Sequence, residues 1–279
     1  MPLYMDRHYI EGATKIAVTQ AHNQDLEIQE RYPVQFLTYW FDEPRCTAFC
    51  LVVSPDKETI RQAHSEAHGL IPNEIIEVDP NVVQAFLGRV KDPAPVPPSG
   101  EIPIDSSFRA IMFTDLKDST LMTTMFGDTK ALHLLHVHNA LIRNALREHQ
   151  GSEVKHTGDG IMASFASVKD AVRCAIAIQQ GFSDHNQRDP DEKLHVRIGL
   201  SAGEPVEEDG DLFGSVVQLG ARICAHAQPD HILVAQIVRD EYPSHPSIFV
   251  DLGEIVPKGF DSPIHVHEVR WQGDRDTLV

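Results

Sequence analysis

Apolar and polar positions follow two rhythms along this chain, and the changes of rhythm mark its elements. Leu3 to His8 alternates with the period of a strand. Thr14 to Gln29 switches to a helical period, with apolar residues at Ile16, Ala17, Ala21 and Ile28. Val34 to Phe41 and Thr47 to Val53 are β-rich runs on either side of the turn Asp42-Glu43-Pro44-Arg45, which predicts a hairpin. Asp56 to His68 predicts a second helix and Glu74 to Val78 a closing strand. The pattern then breaks at Pro93, Pro95, Pro97, Pro98 and Ser99-Gly100, a composition that stays extended and cannot join a sheet. It resumes with a strand at 108–114, a long helix from Gly127 to His149 and a hairpin over 153–165. Ser167-Val168-Lys169-Asp170 resembles a capping box that opens a helix over 168–182. A strand from Leu194 to Ala202, a helix from Val216 to Ala227, and strands at Ile232 to Ala235 and Val266 to Val269 complete the reading.

The first six elements run βαββαβ, which suits a ferredoxin-like sandwich. Residues 1–89 therefore form one domain, 90–103 a Pro-rich linker and 104–273 a second, larger α/β domain, α+β overall. A four-stranded sheet this small leaves one face exposed, so dimerisation through that face is expected. No internal repeat is visible.

Composition narrows the function. The chain has 279 residues, 42% of them hydrophobic and 23% charged, as a folded globular protein requires. A net charge of −17 argues against a nucleic-acid or anionic-membrane partner, since both call for a basic patch. No signal-peptide pattern and no apolar run of membrane-spanning length occur, so the expected location is cytoplasmic. Cys46, Cys50, Cys174 and Cys224 lack metal-ribbon or CxxC spacing and read as free thiols, with Cys46 and Cys50 on one face of a strand.

Two aspartates carry the chemistry. Asp115 lies in Phe113-Thr114-Asp115-Leu116-Lys117-Asp118-Ser119-Thr120, directly after the apolar strand Ala110-Ile111-Met112-Phe113. Asp159 lies in Lys155-His156-Thr157-Gly158-Asp159-Gly160, a tight glycine turn leading into Ile161-Met162-Ala163-Ser164-Phe165. Either alone is an ordinary turn; as a pair at strand ends, two hard carboxylates can hold two Mg²⁺ or Mn²⁺ ions. GxxxxGK[ST] is absent, which excludes a P-loop ATPase.

In this order and spacing, FTDLKDST, KHTGDGIMASF, DLFGSVVQLGARI and EIVPKGF make residues 108–270 resemble a class III nucleotide cyclase catalytic domain. Residues 1–79, through YMDRHYI, AHNQDLEIQ and YWFDEPRCTAFCLVVSPDKETIRQAHSEAHGLIPNEIIEV, resemble small nickel-binding ferredoxin-like domains. The first resemblance implies an adenylate cyclase that converts ATP to 3′,5′-cyclic AMP and pyrophosphate by two-metal catalysis. It implies that Asp115 and Asp159 ligate two Mg²⁺ or Mn²⁺ per active site. The backbone from Leu116 to Ser119 would cradle phosphate oxygens through N–H groups. Lys155 falls at the purine-selecting position, where its ammonium would donate to adenine N1, and Asp211 would accept from the adenine amino group. Arg222 would steady the pentavalent phosphorus with its fork and Lys258 would hold the terminal phosphates. Gln218 departs from the family pattern, which has Asn there, yet keeps an amide to orient the ribose. The resemblance also implies a homodimer with two shared sites, the aspartates from one chain and Lys155, Asp211, Gln218 and Arg222 from the other.

Histidines concentrate in the first domain. His64 and His68 are four apart on a predicted helix and share a face, and His8 follows Asp6 by two on a strand. A Ni²⁺ or Cu²⁺ site built from His8, His64 and His68 is one reading of these, and a regulatory role for the domain follows from its fusion to a catalytic one. His22 reads as a surface histidine. Two alternatives to the adenylate cyclase remain. Gln218 and Asp118, where relatives often have Gly, allow a catalytically silent nucleotide- or metal-binding sensor module. A guanylate cyclase is disfavoured by Lys155, since that activity usually goes with Glu.

Overall fold

The computed structural model describes residues 1–93, 105–204, 214–242, 246–260 and 262–272, apart from the side chains of Thr120 and Pro246. Most of the Pro-rich linker, and Asp211, lie outside the described residues. The chain divides into two compact units, one within Met1–Phe108 and one from Arg109 onward.

The first unit runs β1 (Leu3–Tyr9), α1 (Lys15–Ile28), β2 (Gln35–Asp42), β3 (Thr47–Val53), α2 (Lys57–Ala67), β4 (Glu74–Glu77) and α3 (Pro80–Leu87). Its antiparallel sheet has the order β2-β3-β1-β4, the ferredoxin-like arrangement expected from βαββαβ. Thr14 and Asp56 cap α1 and α2 by accepting the N–H groups of Ala17 and Thr59. Tyr4, Phe36, Val52 and Ile75 on one sheet face pack with Ile28, Ile60 and Ala63 of the helices. Each buried Phe, Val or Ile among them contributes roughly 1.5–3 kcal/mol.

Three expectations for this unit are corrected. The second sheet face is not exposed, because Met5, Trp40, Phe49 and Leu51 are buried and Arg89 lies 5.0 Å over the Trp40 ring. Cys46 is not on a strand with Cys50: it precedes β3 in a turn, with φ +54. Helix α1 is rotated relative to its apolar pattern. Val18, His22, Asp25 and Ile28 form its buried face, and Ile16 is 72% exposed. The cause is polar, since His22 and Asp25 turn inward to meet charged partners.

The second unit runs β5 (Arg109–Leu116), α4 (Ser119–Phe126), α5 (Asp128–Glu148), β6 (Ser152–His156), β7 (Ile161–Phe165), α6 (Val168–Arg188), β8 (Val196–Gly203), α7 (Gly214–His226), β9 (Ile232–Ala235), α8 (Gln236–Asp240), a 3₁₀ turn (Pro246–Ile248), β10 (Phe249–Ile255) and β11 (Ile264–Val269). Its seven-stranded sheet has the order β10-β11-β9-β8-β5-β7-β6, antiparallel except for the β8–β9 pair. Helix α7 presses on one face. A Cβ on Gly199 of β8 would stand 2.2 Å from the Cys224 backbone nitrogen, so only glycine allows α7 this close. Helix α6 packs on β5, β7 and β8, and its Gln179 side chain donates to the Val196 carbonyl at 3.1 Å. No helix among the described residues is long and apolar enough to cross a membrane.

Candidate active site and candidate metal centre

β5 runs through the middle of the second sheet and ends at Asp115-Leu116, where its pairing with β7 has already stopped at Phe113 and Met162. The gap is bridged by Thr114, whose hydroxyl oxygen accepts the Ile161 N–H at 3.1 Å. Beside it the β6–β7 turn folds back on itself, Thr157 N–H donating to Gly160 C=O at 2.9 Å. Gly160 fits only because it has no side chain, since a Cβ would sit 2.2 Å from the Thr114 carbonyl oxygen. That close approach lets Leu116 N–H reach the Asp159 C=O at 3.0 Å. The main chain thus ties the two aspartate loops together, and the Ser119 hydroxyl adds a 2.5 Å bond to Asp159 Oδ2.

Asp115 is gripped from the next strand. Its register partner Arg197 on β8 reaches Asp115 Oδ2 with Nε at 2.7 Å and Nη2 at 2.6 Å. Arg197 Nη1 donates to the Ala225 carbonyl of α7 at 3.0 Å. Among the described residues, Oδ1 of Asp115 and Oδ1 of Asp159 have no hydrogen-bond partner. Two half-exposed carboxylates, each with one unengaged oxygen, form a hard, oxygen-only donor set that fits Mg²⁺ or Mn²⁺. Arg197 was not singled out by the sequence, where its only signal is a cation at the head of an otherwise apolar strand.

The expected phosphate cradle narrows. Leu116 N–H is engaged by Asp159 and Lys117 N–H by the His195 carbonyl at 2.8 Å, so neither can face a phosphate. The remaining donors begin at Asp118, which opens α4 in a left-handed conformation (φ +56) and makes no side-chain cap. The first N–H groups of α4 are therefore left without a capping side chain, the usual anion-attracting end of a helix.

Other expected site residues stand apart from the aspartates. Lys155 is exposed on edge strand β6, just past a bulge between Glu153 and Lys155. Arg143 braces that strand with two bonds to Glu153, at 2.7 and 2.8 Å. Gln218 and Arg222 are exposed on α7, and Lys258 is exposed between β10 and β11. None of these four side chains makes a hydrogen bond or ion pair with another described residue.

The first unit buries a polar cluster between its helices and sheet. His64 of α2 sits between two carboxylates, Nε2 at 3.0 Å from Asp6 Oδ2 and Nδ1 at 2.9 Å from Asp25 Oδ1. Burial opposes a charge on His64, but Asp6 and Asp25 outweigh it and hold its pKa near 10. Burial likewise raises Asp6 and Asp25, yet the surrounding histidines win and both carboxyls lie below their usual range. His68 Nε2 lies 3.0 Å from Asp25 Oδ1 and its Nδ1 accepts the Leu70 N–H. The structure thus brings His8, His64 and His68 together, with ring centroids 4.9 Å (His8–His64) and 5.1 Å (His64–His68) apart. It adds Asp6 and Asp25, and Asp25 had no sequence signal because its partner comes from another helix. Cys50 lines the same cavity, but burial first, then Asp6 and Asp25, push its thiol far up, so it stays protonated. His22 is not a surface residue: it is buried and pairs with Asp92 Oδ2 at 3.0 Å.

One pair in this cluster has the spacing of two metal ligands. His8 Nε2 and Asp6 Oδ1 face each other at 3.0 Å, both atoms shielded from solvent, and neither has another hydrogen-bond partner among the described residues. An imidazole nitrogen and a carboxylate oxygen in that relation suit a shared transition-metal ion.

Comparison with known proteins agrees with both units. Residues 4–78 match the family described as Nickel responsive protein SCO4226-like. Residues 106–266, more than half of the chain, match the Adenylate and Guanylate cyclase catalytic domain. A Rhizobium meliloti (strain 1021) protein provisionally named adenylate cyclase 3 is 37% identical over 120 residues, covering 42% of this chain and 20% of that one. The uncharacterized protein Rv2212 of Mycobacterium tuberculosis (strain ATCC 25618 / H37Rv) is 33% identical over 159 residues, covering 57% of this chain and 40% of its own. The chain thus spans well under half the length of these relatives. The fold is shared with the crystal structure of the adenylyl cyclase CyaB from P. aeruginosa, at TM-score 0.52 and 20% identity over 61% of this chain and 96% of that one. The guanylyl cyclase Cya2 gives the same TM-score, 0.52, at 19% identity over 61% of this chain and 95% of that one. An adenylyl and a guanylyl enzyme are equally similar, so the fold does not choose the purine.

Proposed function

Because the chain belongs to the adenylate and guanylate cyclase catalytic domain family, we propose that it is an adenylate cyclase, making 3′,5′-cyclic AMP and pyrophosphate from ATP at sites shared by two copies. The observation that carries this reading is the main-chain bond from Leu116 to Asp159. It brings two carboxylates, each with a free oxygen, to the mouth of an uncapped helix.

When bound, two Mg²⁺ or Mn²⁺ ions would neutralise phosphate charge and lower the pKa of the ribose 3′-OH. Asp115 and Asp159 hold them. Ser119 keeps Asp159 oriented, and the N–H groups that open α4 face the phosphates. Arg222 stabilises the negative charge on the oxygens of the α-phosphoryl group as the 3′-OH attacks and pyrophosphate leaves, Gln218 orients the ribose and Lys258 takes the terminal phosphates. Lys155 donates to adenine N1, which guanine, protonated there, cannot accept; Asp211 accepts from the adenine amino group. The exposure of Lys155, Gln218 and Arg222 without described partners supports their serving the site of a second copy. A soluble, cytoplasmic dimer is the corresponding state of the protein.

In the first unit a Ni²⁺ or Cu²⁺ ion would be held by His8 and Asp6 with help from His68, and would regulate the catalytic unit; His64, whose two nitrogens both donate to carboxylates, has no lone pair to offer. His68→Ala is the informative variant, expected to weaken Ni²⁺ binding by calorimetry. Removing His64 would strand two buried carboxylates and unfold the unit.

The test is product formation from ATP and from GTP in parallel, with Mg²⁺ or Mn²⁺, by the full chain and by Asp115→Ala and Asp159→Ala. Cyclic AMP from ATP alone, lost in both variants, is expected. No product from either nucleotide would favour the silent sensor module, to which the left-handed Asp118 lends some support. Cyclic GMP would overturn the role given to Lys155.

A further inference from the structure

A second cluster of metal-ligand type lies at the far edge of the larger sheet, on β10 and β11. His265 and His267 are two apart on β11 and so share a face, and Asp251 of β10 is the cross-strand partner of His267. A bulge between Asp251 and Gly253 leaves Leu252 without a partner and sets the carboxylate, whose Oδ1 accepts Gly253 N–H at 2.7 Å. His265 Nε2 lies 2.6 Å from the same oxygen. The ligand atoms of the three side chains all lie within 4.8 Å of one another.

Gln236 of α8 fixes the third ligand. Its amide nitrogen donates to Asp240 Oδ1 at 2.8 Å, so its oxygen is the atom that accepts from His267 Nε2–H, at 2.6 Å. That bond selects the tautomer with a lone pair on Nδ1 of a ring only 6% exposed. A histidine oriented by an acceptor on its other nitrogen is the usual state of a metal ligand. The cluster lines a cleft of about 340 Å³ with Gln236, Arg239 and Phe249. Arg239, the cation in the cleft, is paired with Asp240 at 3.1 Å.

We propose that Asp251, His265 and His267 form a binding site for a divalent transition cation of the zinc, nickel or copper class, separate from the nucleotide site and from the cluster of the first unit. Two imidazoles and one carboxylate select such borderline ions over Mg²⁺ or Ca²⁺. Around a tetrahedral ion with bonds of about 2.0–2.1 Å the ligand atoms stand roughly 3.4 Å apart. The half-exposed His265 supplies the small closing movement, and the fourth position opens on the cleft. The ion would clamp β10 to β11, the hairpin whose connection carries Lys258.

The test is calorimetric titration of the full chain with Zn²⁺, wild type against His265→Ala and Asp251→Asn. Both side chains are exposed enough, at 36% and 62%, for the variants to fold. One equivalent of Zn²⁺ is expected to disappear in His265→Ala, and the same equivalent to weaken at least tenfold in Asp251→Asn, while binding by the first unit persists in both. Unchanged stoichiometry and affinity in His265→Ala would overturn the site. An unaltered affinity in Asp251→Asn would overturn the three-ligand set. Neither result depends on cyclase activity.

Discussion

Arg197 directs two nitrogens of its guanidinium onto a single oxygen of Asp115, at 2.7 and 2.6 Å, and braces the third against the Ala225 carbonyl. The metal-free carboxylate is thus already neutralised. A cation that binds Asp115 competes with this fork, and a fork released from Asp115 is free to take a phosphate. Both partners are about one-third exposed, so the pair is worth about 1 kcal/mol. Arg197→Ala is therefore expected to tighten nucleotide-free Mn²⁺ binding about fivefold, read by electron paramagnetic resonance, while lowering kcat/KM for ATP tenfold or more. Weaker Mn²⁺ binding in the variant would contradict the competition.

The buried Asp6–His64–Asp25 chain sets a pH window for the metal-free first unit. His64 is raised from its ordinary 6.5 to about 10, so its contribution is complete below pH 6.5 and is lost as pH rises toward 10. Asp6 and Asp25 are depressed below their ordinary 3.8, so their contribution is complete above that value and is lost as pH falls further. Stability should be greatest between about pH 4 and 6.5 and decline on both sides. Urea denaturation of the metal-free protein at a series of pH values measures this. A transition that stays put between pH 6.5 and 10 would mean His64 is neutral.

Two glycines of the β6–β7 turn should respond differently to one added methyl. Gly160→Ala drives a carbon against the Thr114 carbonyl, a backbone atom with no room to yield, and should cost about 3 kcal/mol with loss of activity. Gly158→Ala meets open space and bears only the strain of φ +89, about 1–2 kcal/mol. Thermal melting of the two variants decides the order, and equal losses would remove the argument for close approach at Gly160.

Asp118→Gly is expected to stabilise the larger unit. A left-handed residue with a side chain costs about 1 kcal/mol, and Asp118 makes no capping bond in return. The melting temperature should rise by about 2–4 °C. A fall would reveal a function for the carboxylate that its contacts do not display.

Much of this architecture could be read from the chain. The ferredoxin-like order and the paired aspartate loops were legible because strand alternation and glycine turns are local signals. Helix α4 was not, since Leu121 and Met125 are 54% and 74% exposed and leave no amphipathic stripe. Strand β10 was hidden by its bulge, which breaks the alternation at Asp251 and Gly253. The rotation of α1 followed from His22 and Asp25 facing inward toward Asp92 and His64, residues 70 and 39 positions away. Arg197 escaped notice for the same reason: its role exists only because β8 lies beside β5.

Helix α7 turns Cys224 and the Ala225 carbonyl toward its own sheet and presents Gln218 and Arg222 outward. If each active site takes aspartates from one copy and Arg222 from another, damage to the two halves is separable. A chain lacking Asp159 and a chain lacking Arg222 would each be silent alone. Mixed in equal amounts, half of the pairs would be hybrids, and each hybrid would carry one intact site, restoring about a quarter of the wild-type rate.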